Sequence, residues 1–125
     1  MFEIRVRESF SAAHQIEGYK GKCEKLHGHN WSVEITVSSQ RLDKKGMVFD
    51  FVLLRKKLRK VLSRLDHSML NRIGFFKSRN TTAEYIAYYI FLEMNKHFGK
   101  KSAVKLSSVA VSETDKADAV YASNE

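Results

Sequence analysis

The stretch Cys23-Glu24-Lys25-Leu26-His27-Gly28-His29-Asn30-Trp31-Ser32-Val33-Glu34-Ile35-Thr36-Val37 decides how the rest of the chain is read. From Trp31 onward it alternates Trp31, Val33, Ile35 and Val37 with Ser32, Glu34, Thr36 and Ser38, the period of a half-buried strand. Residues two apart in a strand face the same side, so His27 and His29 share the parity of the apolar row. Imidazole is the commonest metal ligand, and catalytic zinc takes three protein ligands with one position left open. Two neighbouring histidines also suit a pair of hydrogen-bonded loop residues, so a metal site requires a third ligand.

That ligand lies upstream. Phe2, Ile4, Val6 and Phe10 alternate with Glu3, Arg5, Arg7 and Ser9, which predicts a first strand running into Ser11-Ala12-Ala13-His14, with His14 just beyond its end. Residues 15–28, carrying Gly18, Gly21 and Gly28, read as a loop too long for a tight hairpin. Antiparallel pairing of the two strands brings His14 beside His27 and His29, and three converging imidazoles predict a zinc site.

The 125 residues, 43% of them hydrophobic, fit one domain over 1–125. No apolar run approaches the ~20 residues that cross a bilayer, and Met1-Phe2-Glu3-Ile4-Arg5 lacks the pattern of a secretory signal, so a cytoplasmic protein without a membrane partner is expected. A single cysteine, Cys23, cannot form an internal disulfide and is expected to be a free thiol. The formal charge of +8 favours an anionic partner such as a phosphorylated small molecule or nucleic acid.

Beyond Asp43-Lys44-Lys45-Gly46, Asp50 is a candidate N-cap for a helix over about 51–65, whose buried face is Leu54, Leu58, Val61, Leu62 and Leu65. Arg55, Lys56, Lys57, Arg59, Lys60 and Arg64 cover its remaining surface and read as a solvated face. Asp66 precedes His67, a carboxylate beside an imidazole. Thr81-Thr82-Ala83-Glu84 has capping-box spacing and opens a second helix along Ile86, Ile90 and Met94, with Tyr85, Tyr88, Tyr89 and Phe91 as core or subunit contact. His97 is expected to interact with the dipole at that helix's end, and Gly99 to close it. A third strand over about 103–112 has imperfect periodicity: Val104, Leu106 and Ser108 form one row and Val109 and Val111 another, whose parity Glu113 continues. Ala117 to Ala122 reads as a final strand.

The order strand, strand, helix, helix, strand, strand carries Phe10-Ser11-Ala12-Ala13-His14, Cys23 ahead of His27-Gly28-His29, Leu65-Asp66-His67 and Ser112-Glu113-Thr114. Over nearly its whole length it resembles the 6-pyruvoyl-tetrahydropterin synthase family, and within it the bacterial branch that forms 6-carboxy-5,6,7,8-tetrahydropterin. The resemblance implies an α+β tunnelling fold, β-β-α-α-β-β, whose antiparallel sheets close into an oligomeric barrel. It further implies a homohexamer of two stacked trimers with active sites between subunits. By the same resemblance His14, His27 and His29 match the zinc ligands, Cys23 the catalytic base, Asp66 and His67 the partner pair in proton transfer, and Glu113 the pterin anchor. The implied reaction is that of a lyase, taking 7,8-dihydroneopterin triphosphate to 6-carboxytetrahydropterin, acetaldehyde and triphosphate on the route to queuosine and related 7-deazaguanines.

Thr81 stands where relatives commonly carry proline, a departure that touches a helix start. Glu24 resembles the glutamate of branches that cleave the side chain to 6-hydroxymethyl-dihydropterin for folate synthesis, which keeps Glu24 as an alternative acid or base. A rival from another class makes Cys23 the fourth ligand of a structural zinc in a basic domain binding nucleic acid; that rival leaves Asp66, His67 and Glu113 without a role.

Overall fold

The computed structural model describes residues 1–18 and 25–124. Five strands and two helices follow in the order β1 (Phe2–His14), β2 (His27–Ser39), α1 (Phe51–Leu62), β3 (Ser68–Met69), α2 (Ala83–Asn95), β4 (Val104–Thr114) and β5 (Ala117–Ala122), with two short 3-10 turns at Leu70–Arg72 and Gly74–Phe76. The sheet order is β3-β1-β2-β4-β5. All neighbours are antiparallel except β3, which runs parallel to β1 through Ala12↔Ser68 and Ala13↔Met69. The expected all-antiparallel sheet is therefore mixed. Two residues with no alternation of their own leave no periodic pattern, so β3 is invisible to sequence reading.

Alternation on β1 and β2 turns Val6, Phe10, Ala12, Trp31, Val33, Ile35 and Val37 toward the helices, where all are buried. Against them lie Leu54, Leu58, Val61 and Leu62 of α1 and Ile86, Ala87, Ile90 and Met94 of α2. Asp50 caps α1 as expected, its Oδ1 accepting from Val52 and Leu53 N–H. The helix stops at Leu62, and Leu65 reaches the core from the turn that follows.

α2 corrects the expected cap by one residue. Thr82 is the N-cap and accepts from Tyr85 N–H, so Glu84 falls one position short of a capping box. Thr81 is left fully buried and available for another task. The basic face of α1 is partly neutralised: Arg55 and Arg59 reach Glu8, an inward-facing carboxylate of β1, at 3.3 and 2.5 Å, and Arg64 pairs with Glu93. His97 lies past the end of α2, and burial with Lys57, Lys60 and Arg64 holds its pKa below the ordinary value, opposite to the raising that a helix dipole would give.

The irregular periodicity of β4 has a structural cause. Thr36 pairs with Ser108 but Val37 pairs with Leu106, so Ser107 is an extra residue, a β-bulge held by Ser107 Oγ at 2.6 Å from Ser38 Oγ. Leu106 before the bulge and Val109 and Val111 after it all point into the core. The same shift gives Glu113 the inward parity of Val109 and Val111; without the extra residue its carboxylate would face the other side of the sheet.

Candidate metal centre and neighbouring dyad

The β1–β2 register places His14 opposite His27 and Ala12 opposite His29. His14 is thus the last residue of β1 rather than a residue beyond it, which fixes its side-chain direction. Ligand atoms of His14, His27, His29 and Glu113 all lie within 4.8 Å of one another. This group could hold a metal ion.

Backbone carbonyls set which ring nitrogen each histidine offers. His14 Nδ1 donates to the carbonyl of Thr81 at 2.7 Å, and His27 Nδ1 donates to that of Lys25 at 2.7 Å. In the neutral form each ring then presents an unprotonated Nε2. Those two nitrogens face each other at 3.1 Å. Two lone pairs at that distance repel, and a cation between them removes the conflict. Nε2 of His29 is buried and, among the described residues, has no hydrogen-bond partner, although Glu113 Oε2 stands 3.3 Å away outside hydrogen-bond alignment. A buried nitrogen left so is costly unless a metal takes its lone pair. His14 has no exposed surface, and burial holds its pKa below the ordinary value against the opposing pull of the Thr81 carbonyl and Glu113. Neutral imidazole is the ligating form. Trp31 closes the inner wall edge-on, its ring 4.9 Å from that of His14 and 5.3 Å from that of His29. The donor set therefore fits a metal such as zinc.

The exit of β1 is held by side-chain amides. Asn71 accepts from Gln15 N–H at 2.9 Å and donates to its carbonyl at 2.8 Å, and Asn80 does the same for Glu17 at 2.9 and 2.8 Å. Each amide stands in for a strand partner where the ladder has ended. Thr81, Asn71 and Asn80 escaped sequence reading because polar residues in a loop carry no periodicity. The one available sign was a Thr-Thr pair of which only one can cap the helix.

Asp66 and His67 form a pair of a different kind. Asp66 Oδ1 accepts from Ser11 N–H at 2.9 Å, and its Oδ2 stands 3.0 Å from His67 Nδ1. The Ser11 N–H and then His67 hold the Asp66 pKa below the ordinary carboxylate range. His67 N–H donates to Ser11 carbonyl at 2.6 Å, and its φ of +56° is uncommon for a residue with a side chain. Its side chain is 84% exposed. It borders a cavity of about 510 Å³ at the sheet edge, lined also by Ser11, Ala12, Ala13, Gly28, Asn30 and His29 of the cluster. Among the described residues no hydrogen bond or ion pair joins this dyad to the histidine cluster. Cys23 and Glu24 lie outside the described residues.

The sequence profile of 6-pyruvoyl tetrahydropterin synthase matches residues 3–124. This chain belongs to that family. Among its relatives, the 6-carboxy-5,6,7,8-tetrahydropterin synthase of Synechocystis sp. is 37% identical over 127 aligned residues, covering 97% of this chain and 93% of its own. The protein of the same name from Haemophilus influenzae is 33% identical, covering 91% and 94%. The solved structure of Caenorhabditis elegans 6-pyruvoyl tetrahydropterin synthase superposes with a TM-score of 0.85 at 29% identity, over 98% of this chain and 96% of that one. The fold is the tunnelling fold of this family, and the chain is of tetrahydropterin-synthase type, a class that acts on pterins. No helix among the described residues is long and apolar enough to cross a membrane.

Proposed function

We propose that this protein is a zinc-dependent lyase that converts 7,8-dihydroneopterin triphosphate to 6-carboxy-5,6,7,8-tetrahydropterin, acetaldehyde and triphosphate, in the cytoplasm, on the route to queuosine. The observation that carries the reading is the convergence of three imidazole Nε2 atoms beside Glu113, two of them fixed in the ligating tautomer by backbone carbonyls.

In this reading His14, His27 and His29 hold the ion, and Glu113 receives paired N–H donors from the pterin ring. Bound zinc supplies Lewis-acid polarisation of substrate side-chain oxygens, which lowers the cost of removing the adjacent carbon-bound proton. Cys23 takes that proton as thiolate, and Asp66 holds the His67 imidazole as a proton carrier. The separation of the dyad from the histidine cluster favours a site completed by a neighbouring subunit. Among the described residues, β1 over Phe2–Phe10 has β2 on one side only, and β5 has β4 on one side only. Such open edges suit pairing with further copies, as in a hexamer of two stacked trimers. The formal charge of +8 suits a triphosphate substrate.

The test is to incubate zinc-loaded protein with 7,8-dihydroneopterin triphosphate and identify products by mass, beside Cys23→Ala and Glu24→Ala. 6-Carboxytetrahydropterin with acetaldehyde, abolished in Cys23→Ala, is the expected outcome. Formation of 6-hydroxymethyl-dihydropterin that depends on Glu24 would move the protein to folate synthesis, and absence of turnover would favour the structural-zinc reading.

A further inference from the structure

The three histidines leave the fourth side of the cluster to Glu113, whose carboxylate approaches two of them. Oε2 of Glu113 stands 3.3 Å from His29 Nε2 and Oε1 stands 3.8 Å from His14 Nε2, while His14 and His27 Nε2 are 3.1 Å apart. Nitrogen and oxygen donors about 2.0–2.2 Å from a tetrahedral zinc stand roughly 3.3–3.6 Å from one another. The three quoted separations lie within a few tenths of an ångström of that edge length, and the whole set of donor atoms lies within 4.8 Å of one another. The Glu113–His29 approach is close enough to be an ion pair yet misaligned for a hydrogen bond, as expected when both lone pairs aim at a shared point rather than at each other. Independently, the bulge at Ser107 turns Glu113 onto the histidine face. Bulges commonly re-aim a side chain beside a functional site, and here the re-aimed group is the carboxylate that completes the cluster.

We propose that Glu113 is the fourth protein ligand of the metal when no substrate is bound, and that it gives up this position when a pterin engages it. The inference rests on the metal-site and pterin-anchor reading above and adds an exchange to it. A carboxylate oriented at the metal cannot at the same time present both oxygens to the paired N–H donors of a pterin. Substrate arrival therefore frees the open coordination position that a catalytic zinc needs, and the resting site is closed against water and adventitious ligands.

The experiment uses the full chain with metal alone. Zinc affinity is measured by chelator competition for wild type, Glu113→Gln and Glu113→Asp, and the cobalt-substituted proteins are compared by visible absorption. Glu113→Asp keeps the charge but withdraws the carboxylate by one methylene, separating coordination from simple attraction. Both variants are expected to bind zinc about 10-fold or more weakly and to show an altered cobalt spectrum. Adding neopterin to the wild-type cobalt protein is expected to change its spectrum as Glu113 withdraws. Affinity and cobalt spectra in both variants matching wild type would overturn the proposal, as would weakening in Glu113→Gln alone, which marks electrostatics. An unchanged spectrum with saturating neopterin would overturn the exchange. His27→Ala is measured alongside: if it loses zinc while the Glu113 variants do not, the three-histidine site stands and the Glu113 inference alone fails. Should His27→Ala also bind zinc normally, the metal-site reading itself has failed.

Discussion

The histidine cluster and the Asp66–His67 pair are built from the same few residue types, yet they differ in how firmly the fold holds them. His14, His27 and His29 stand on two strands paired with each other along their whole length, with rings braced by carbonyls and by Trp31. Asp66 and His67 sit in a turn at the sheet edge, held through Ser11 and the Leu62 carbonyl, with an exposed imidazole on a left-handed backbone. A partly buried cluster braced on paired strands has the donors to hold a metal ion by itself. An exposed dyad at an edge is poised to act on something brought to it, such as a site on a neighbouring copy.

The sharpest way to break this comparison is to remove one member of each. His27→Ala is expected to weaken zinc binding by more than the roughly 10–100-fold that loss of an outer-shell partner costs, and to abolish turnover, as read by chelator competition and product assay. His67→Ala is expected to cut turnover by about 100-fold or more, the range of general acid–base effects, while zinc affinity stays at the wild-type value. If His67→Ala instead released the metal, the two regions would form one unit and the contrast would be wrong.

A smaller effect separates bracing from ligation. Asn71→Ala or Asn80→Ala removes two hydrogen bonds to the β1 exit and is expected to cost about 1–3 kcal/mol in chemical denaturation. Asn71→Asp keeps the acceptor but loses the N–H donor, so it should recover only part of that loss.

The smallest effect is on pH dependence. Burial lowers the pKa of His14, and burial with Lys57, Lys60 and Arg64 lowers that of His97, so each binds protons less readily folded than unfolded. Between the lowered value and the ordinary value of about 6.5 the unfolded chain holds more protons, so stability rises with pH through that window. The metal-free protein is therefore expected to melt at lower temperature as pH falls below about 6.5. His97→Gln should flatten part of that slope; an unchanged slope would leave His97 without a part in it.

Sequence alone determined the period-two rows of β1 and β2, both helices and the convergence of His14 with His27 and His29. These follow from local alternation plus one antiparallel pairing, information carried by residues near one another or on adjacent strands. Parity even marked the break in β4, between Leu106 and Val109, without saying what it meant. Tertiary structure decided the rest. It turned Glu113 inward through an extra residue at Ser107, gave the Thr81 carbonyl to His14, replaced a missing strand partner with Asn71 and Asn80, and set β3 parallel beside β1. Each of these joins residues far apart in the chain through single polar groups, and a single hydrogen bond leaves no periodic trace in a sequence.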